Sequence, residues 1–312
     1  MTSGPNAVVP TLIAGYLLPA FVMDRSALDP DEVAEIYDEL IDTYEAEWER
    51  QGHRSLHLEY YDDEHDEPGP AAINTMRVLS EAAGISEGER VLNIGCGVGE
   101  DSVWNARAYG ATVIGVNISE RQLELARENA RNHDVSERTE FRYDDFHELA
   151  TIEADSVDVV WGLEALSHAH DRERVLEQIR RVLVPGGRIV FSDLFVREGA
   201  DTTPEDGRLQ RINDGLGLRL GRLDSFTDSL EAVGFENVTV RDETDPIRPC
   251  LDRRHKFARV AHPVGRLLSF TGVFSDTQLA VFKANSLIRA CIEANVLGYF
   301  VITAELSENR EE

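Results

Sequence analysis

Short apolar runs alternate with longer amphipathic stretches along most of this chain, and that alternation predicts its elements. Val91, Leu92 and Ile94 run into Gly95-Cys96-Gly97-Val98-Gly99, followed by apolar Val103, Trp104, Ala106 and Ala108 at helical spacing. This reads as strand, glycine turn and helix. ATVIGV is a second strand ending on Asn117, and SERQLELARENARN a helix with Ser119 as N-cap and Leu123, Leu125 and Ala126 on its inner side. RTEFRYDDFHEL gives a third strand ending at Asp144-Asp145-Phe146. SVDVVWGL gives a fourth ending at Trp161-Gly162, and EALSHAHDRERVLEQIRRVL a loop and helix that stops at VPGG. GRIVFSDL is the fifth strand, DSFTDSLEAVGFENVTVRDE a helix and sixth strand, and GYFVITAEL the seventh. Such alternation builds a doubly wound, mainly parallel α/β sheet with helices on both faces.

The flanks read differently. Ala7 to Met23 is an apolar run broken by Pro10 and Pro19 with no positive charge before it, a poor signal peptide or membrane anchor. Residues 1–29 are therefore expected to be a dispensable extension or an over-called start, with Met23 a sensible first residue. Residues 30–85 form a helical N-terminal lid: the segment from Pro30 carries Val33, Ile36, Tyr37, Leu40, Ile41 and Tyr44 in an amphipathic pattern, then comes SLHLEYYDDEHDEPGP, then the helix AAINTMRVLSEAAGI. His57, Tyr60 and Tyr61 either fold over a bound molecule or simply tack the helix to the body. Residues 86–243 are the core and 298–312 the last strand with an acidic tail. Between them, residues 244–297 are too long for a loop and read as a helical cap bearing Val260, Leu267, Leu268, Phe270, Val273, Phe274, Leu279, Val281, Phe282, Leu287 and Ile288. Its apolar face roofs a small-molecule pocket, packs a homodimer interface or pads the core.

Charge narrows the partners. The 312 residues carry 58 acidic and 31 basic side chains, a net charge of −27, with Lys256 and Lys283 the only lysines. The acids are spread along the chain, which suggests a solvated acidic surface and a halophilic cytoplasm, and disfavours nucleic acid or anionic membrane as a partner. Three distant cysteines, Cys96, Cys250 and Cys291, suggest neither a disulfide framework nor a metal site. No internal repeat or low-complexity tract is evident.

A glycine turn at the carboxyl end of a strand leaves backbone N–H groups open to a ligand, and Asn117 lies about 20 residues on, where a ribose is gripped in nucleotide-binding folds. The glycines are spaced G-x-G-x-G, not the G-x-G-x-x-G of a dinucleotide site. Glu100 and Asp101 open the next helix, which repels a pyrophosphate and suits an amine or sulfonium cofactor. A glycine turn with no ligand is the bland alternative.

Five elements in register, VLNIGCGVGE, VIGVNISERQLELAREN, FRYDDF, SVDVVWGLEALSHAHD and VLVPGG with GRIVFSD, resemble a class I S-adenosylmethionine-dependent methyltransferase over about residues 56–195, with 299–305 as the last strand. LHLEYY, VNISERQ and WGLEALSHAHDR are similar to the small-molecule group that includes the rebeccamycin sugar O-methyltransferase, sterol and tocopherol C-methyltransferases and sarcosine/dimethylglycine N-methyltransferases. The resemblance implies a seven-stranded Rossmann-like sheet with the last strand antiparallel, S-adenosyl-L-methionine as cofactor and a small-molecule acceptor. It implies that Gly95, Cys96, Gly97 and Gly99 line the methionine and ribose portion. Asn117 replaces the usual ribose-chelating acid with help from Ser119 and Gln122, Asp145 accepts from the adenine amino group, and Phe146 packs on the ring. Trp161 and Gly162 border the methyl, and Tyr60 and Tyr61 close over the methionine tail.

For a hydroxyl acceptor a base is needed. His168, past strand four, is the candidate, with Asp193 at the end of strand five orienting or assisting it, as the resemblance implies. Against this stands a histidine that merely bonds a backbone carbonyl and an aspartate that merely caps its strand. Glu164 and His170 are weaker candidates for the base and read more readily as solvated surface. The expectation is methyl transfer, most readily to oxygen. C- or N-methylation of a lipid, isoprenoid or amine, a non-catalytic cofactor-binding or assembly protein, and a nicotinamide oxidoreductase are the alternatives.

Overall fold

The computed structural model describes residues 33, 34, 37, 38, 41, 53, 54, 57–202, 207–268 and 276–308. The expected extension over 1–29, much of the first helix, and Phe270, Val273 and Phe274 of the cap lie outside the described residues, as do the side chains of Val260, Leu267, Leu268 and Phe282. The elements run α1 (Pro68–Ala83), β1 (Arg90–Ile94), α2 (Glu100–Ala108), β2 (Thr112–Asn117), α3 (Glu120–Asn132), β3 (Thr139–Tyr143) and β4 (Val157–Leu163). After a single turn at Leu166–His168 come α4 (Arg172–Val182), β5 (Leu183–Val196), α5 (Arg208–Leu216), α6 (Leu223–Val233), β6 (Phe235–Asp242), α7 (Thr244–Leu268), α8 (Asp276–Glu293) and β7 (Leu297–Leu306). One seven-stranded sheet has the order β3-β2-β1-β4-β5-β7-β6. Strands β1 to β5 pair in parallel, while β7 is antiparallel to both β5 and β6. This is the doubly wound sheet the alternation predicts.

Period-two alternation splits the core. On β1, Val91 packs with α1, α2 and α3 while Leu92 and Ile94 pack on the opposite face; Val159 and Trp161 of β4 join the first layer, and Val160 the second. A third cluster lies past the carboxyl end of the sheet. There Leu58, Leu194 and Leu218 meet Ile212 of α5, Ile247 and Leu251 of α7, Ile288 and Ile292 of α8, and Tyr299. The cap is thus built on the sheet end where a crevice forms.

Two elements depart from the pattern. Helix α5 had no sequence reading, because RLQRINDGL is short and mostly polar; Gly207 and Gly217, both in left-handed backbone, bound it. Strand β5 begins at Leu183, before Pro185-Gly186-Gly187, because Leu183 pairs with Val157 and the extra residues are accommodated before Arg188 pairs with Val159. Among the described residues no helix is long and apolar enough to cross a membrane.

The order changes direction beside β1, which carries the glycine turn, and ligands of such sheets sit outside the strand ends at this switch point. Gly95, Gly97 and Gly99 all have positive φ. A Cβ on Gly99 would lie 2.8 Å from Ala126 Cβ and 2.9 Å from the Phe141 ring. Gly99 therefore serves the close packing of α2 against α3 and β3. Gly99→Ala is expected to destabilise the fold by about 2–4 kcal/mol, from strain and overpacking together. An unchanged midpoint in urea unfolding would refute this account of the turn.

Candidate active site

The crevice encloses about 1660 Å³ of empty space, counting its open mouth. Its floor follows the strand ends in sheet order: Asp145 and Phe146 after β3, Asn117 and Ser119 after β2, Gly95 to Val98 with Glu100 and Asp101 after β1, Leu163 to Ala165 after β4, and Asp193 and Leu194 on β5. Val33, Ala34 and Tyr37 of the first helix cover one part. Arg254 of α7, Val281, Asn285 and Ile288 of α8, and Leu216 and Leu218 wall the other.

At the β2 and β3 ends, side chains meet as a polar edge. Asn117 Nδ2 donates to Gln122 Oε1 at 2.7 Å, and Ser119 Oγ accepts from the Gln122 N–H at 3.0 Å as the α3 N-cap. The Ser119 hydroxyl in turn donates to Asp38 Oδ1 at 2.5 Å, and Arg121 donates to the Asp38 carbonyl at 2.9 Å. The first helix is thereby pinned beside the crevice. Asp145 Oδ1 receives both the His147 N–H at 2.9 Å and His147 Nδ1 at 2.6 Å. Burial works to raise this carboxyl, yet the His147 bonds hold it below the usual range. His147 Nε2 accepts from the His170 N–H, and the two rings stack at 3.8 Å. Asp144 turns away, accepting from Ala150 and from the Thr151 N–H and hydroxyl. His170 is exposed, as its sequence reading expected, yet it borders the mouth.

At the β4 and β5 ends lies His168. Its Nδ1 is 3.1 Å from the Gly217 carbonyl, which can only accept, so Nδ1 carries the proton and Nε2 the lone pair. Tyr37 Oη donates to that Nε2 at 2.9 Å. Burial lowers the imidazole to about 4, against the small opposing effect of the Gly217 bond. Asp193 does not reach the imidazole. Its Oδ2 accepts from the Ser167 N–H at 2.8 Å and its Oδ1 from the Leu194 N–H at 2.7 Å. Burial raises it to about 6, with those N–H groups pulling it back. The expected orienting contact from Asp193 to His168 is therefore corrected: Asp193 fixes the turn carrying His168, and Gly217 fixes the ring.

Several expected contacts fall elsewhere. Tyr60 Oη donates to Glu243 and Tyr61 Oη to Glu59, both at 2.9 Å, while the Tyr60 and Tyr61 N–H groups bond Ala71 and Pro246 carbonyls. Neither tyrosine lines the crevice; they tack a strap between α1 and α7, and its His57 and Leu58 line the crevice instead. Trp161 is fully buried in the layer under α1 and α2, because its odd position in β4 points it there. A Cβ on Gly162 would strike Phe191 at 2.7 Å, so that glycine serves packing too. Gly99 likewise lies outside the lining.

Glu164 is not solvated surface. It sits in left-handed backbone at φ 53 just past β4, a rare state for a side chain of this size. Its Oε1 accepts from the Leu58 N–H at 2.7 Å and Tyr299 Oη at 3.0 Å, and burial raises it to about 7. Asp101 is raised to about 7 by burial and then by Glu100 beside it, with the Trp161 indole N–H opposing. Tyr37, Asp38, His147 and Arg254 are not singled out by the sequence, whereas Asp101, read there with Glu100 as suiting an amine or sulfonium, does line the crevice.

A family model described as a methyltransferase domain matches residues 85–209. The 27-O-demethylrifamycin SV methyltransferase of Amycolatopsis mediterranei is 35% identical over 221 residues, 70% of this chain and 79% of that protein. An O-methyltransferase of Penicillium expansum is 29% identical over 296 residues, 92% of this chain and 97% of that protein. The crystal structure of the cyclase SpnF superposes with a TM-score of 0.73 at 22% identity, covering 91% of this chain and 98% of that one, a likeness of fold.

Asp101 supplies a test of the electrostatics. Folded, it holds its proton to about pH 7; unfolded, it releases it near 3.8. The folded state binds the extra proton in between, so this group's contribution to stability is lost as pH rises through that window. Asp101→Asn is expected to raise stability at pH 8 by about 1–3 kcal/mol, discounted because 15% of the side chain is exposed, and to add nothing below about pH 4. Urea titrations at both pH values check it; an equal effect at both would place the cause outside charge burial.

Proposed function

The chain belongs to the S-adenosylmethionine-dependent small-molecule methyltransferases, and on that premise we propose that it methylates a hydroxyl oxygen on a bulky, partly apolar acceptor, with His168 taking the proton. The observation that carries this reading is the neutral His168 with its lone pair turned to Tyr37 inside the crevice. An imidazole held by Gly217 in the one tautomer that leaves the Nε2 lone pair free to accept, in contact with a phenol that can relay a proton, is what a hydroxyl acceptor needs.

The residues present fit the cofactor. A Cβ on Gly97 would have only Gln122 Oε1, at 3.8 Å, within reach, so the missing side chain leaves room for a ligand beside the polar edge. Asp145 receives both His147 contacts on Oδ1, which suits Oδ2 to accept from an adenine amino group, with Phe146 against the ring. Asn117, Ser119 and Gln122 suit the ribose, and Gly95 to Gly97 with Cys96 the turn toward the methionine portion. Bound there, S-adenosylmethionine supplies a methyl already activated on a sulfonium.

The protein's own work is alignment, exclusion of water and removal of one proton. Leu194, Leu216, Leu218, Val281 and Ile288 offer an apolar wall for the acceptor beside Asn285. As the acceptor oxygen takes the methyl, its proton passes to the Tyr37 oxygen and the Tyr37 proton passes to His168 Nε2. Asp193 holds the Ser167 N–H and so the height of the histidine. The rifamycin O-methyltransferase relative supports a hydroxyl on a large acceptor.

His168→Asn is expected to lower kcat about 10²- to 10⁴-fold while cofactor affinity stays within about threefold. Tyr37→Phe should lower kcat by a smaller factor. Stopped assays with a panel of hydroxylated polycyclic and macrocyclic acceptors, alongside calorimetry with S-adenosylhomocysteine, separate the two quantities. Parallel losses of rate and cofactor affinity, or an unchanged rate, would overturn the base assignment.

A further inference from the structure

The crevice contains a cluster that this proton transfer leaves unused. His57 is 8% exposed and lines the crevice, and its Nδ1 lies 3.0 Å from the Leu58 carbonyl, so Nδ1 holds the proton and Nε2 the lone pair. That Nε2 is buried and has no hydrogen-bond partner among the described residues. Across from it, at 4.0 Å, stands Asp101 Oδ1. Two acceptors face each other over a gap that a single donor atom can bridge, a costly arrangement if it stays empty. Glu164 also lines the crevice, near enough to Asp101 to raise its carboxyl.

The complement of this cluster is a compact, multiply donating cation. Its place in the sheet order says which. Asp145 and Asn117 lie at the β3 and β2 ends, and Asp101 and Glu164 at the β1 and β4 ends, beyond the glycine turn. A nucleoside laid along that floor with its base toward Asp145 brings the far end of its 5′ substituent to Asp101. In the cofactor that end is an amino acid, with one ammonium and one carboxylate. Arg254 completes the match in charge: it reaches from α7 into the same wall, donates from Nη2 to the His57 carbonyl at 2.8 Å, and lowers Glu164 from the level burial alone would set.

Building on the cofactor reading above, we propose that His57 Nε2 and Asp101 hold the α-ammonium of the cofactor's amino-acid tail, with Arg254 of the cap facing its carboxylate. The tail thereby joins the glycine turn to the cap helix that also carries the acceptor wall. Tyr60 and Tyr61, expected to cover this tail, leave the task to their neighbour in the same strap. The sequence reading had the acids at the start of α2 suit an amine or a sulfonium; the orphaned imidazole nitrogen favours the amine.

The test is binding, with no turnover. Calorimetry on the full chain at pH 8 compares S-adenosylhomocysteine, its desamino analogue, its decarboxylated analogue and 5′-methylthioadenosine, which has no tail. The wild-type protein should bind S-adenosylhomocysteine about 10- to 100-fold more tightly than the desamino analogue, the range of a charge-assisted hydrogen bond. Asp101→Asn and His57→Asn should each shrink that ratio toward one and leave 5′-methylthioadenosine affinity unchanged. Arg254→Gln should shrink the corresponding ratio for the decarboxylated analogue. If the wild type binds S-adenosylhomocysteine and the desamino analogue equally, or the variants weaken all four compounds alike, the ammonium site is wrong and the cofactor reading stands. If the wild type binds none of the four, both readings fall.

Discussion

Everything near the crevice depends on the chain turning sharply at the end of β1 without side chains. A Cβ on Gly95 would meet Ala165 Cβ at 2.9 Å, so the turn touches the exit of β4 directly, while Gly99 lets α2 settle onto Ala126 and Phe141. Positive φ at three alternate positions and close approach on both sides are separate demands, and glycine meets both. The consequence is a floor on which the ends of β3, β2, β1, β4 and β5 lie in one sweep. A small cofactor and a second molecule can then be laid side by side along it.

That floor is unusual in its charge. Asp101, Glu164 and Asp193 are all pushed up by burial, and His57 and His168 are both pushed down by it. The two sets have opposite linkage. The carboxyls stabilise the fold at low pH and lose that contribution as pH rises through about 6 to 7. The neutral histidines contribute above about 6.5 and lose it as pH falls toward 4. Near neutrality the site therefore carries uncharged bases and carboxyls close to giving up their protons, an environment that a cation entering the crevice relieves. The surface of −27 net charge works in the same sense, favouring a positively charged ligand over an anionic one.

The fold was legible because period-two strands and glycine punctuation are local signals. Even there, α5 escaped, being held by two glycines and by the cap more than by its own apolar face. The site was legible only in part. Asn117, Ser119, Gln122, Asp145 and Phe146 follow strand ends, so their placement in the crevice comes with the topology. Trp161 was misplaced because alternation decides its face: Val160 and Trp161 point to opposite layers, and an aromatic at a strand end says nothing of which. The contact from Tyr37 to His168 spans 131 residues and that from Leu58 to Glu164 spans 106, distances over which no spacing in the sequence carries information. The pairing of Asp193 with His168 rests on the family resemblance and on their ending neighbouring elements, whereas backbone N–H groups of Ser167 and Leu194 take the Asp193 oxygens.

The long-range contacts also tie the segment carrying Tyr37 and helices α5 and α8 to the crevice. Tyr37 and Asp38 sit on adjacent positions of one helix; Asp38 is tied to Ser119 at the cofactor edge, and Tyr37 to His168 at the proposed reacting edge. Two neighbouring residues thus connect the two edges of the crevice, each by one short contact. On the other side, the Gly217 carbonyl that sets the His168 tautomer follows α5, and α5 packs on α8 through Gly215, where a Cβ would approach Ala284 to 3.0 Å. The α8 wall of the crevice and the imidazole are thus joined by one run of contacts through α5 and Gly217. The imidazole is thus held from both flanks, Nε2 by Tyr37 and Nδ1 by the Gly217 carbonyl, so its tautomer and orientation rest on segments far from it in the chain.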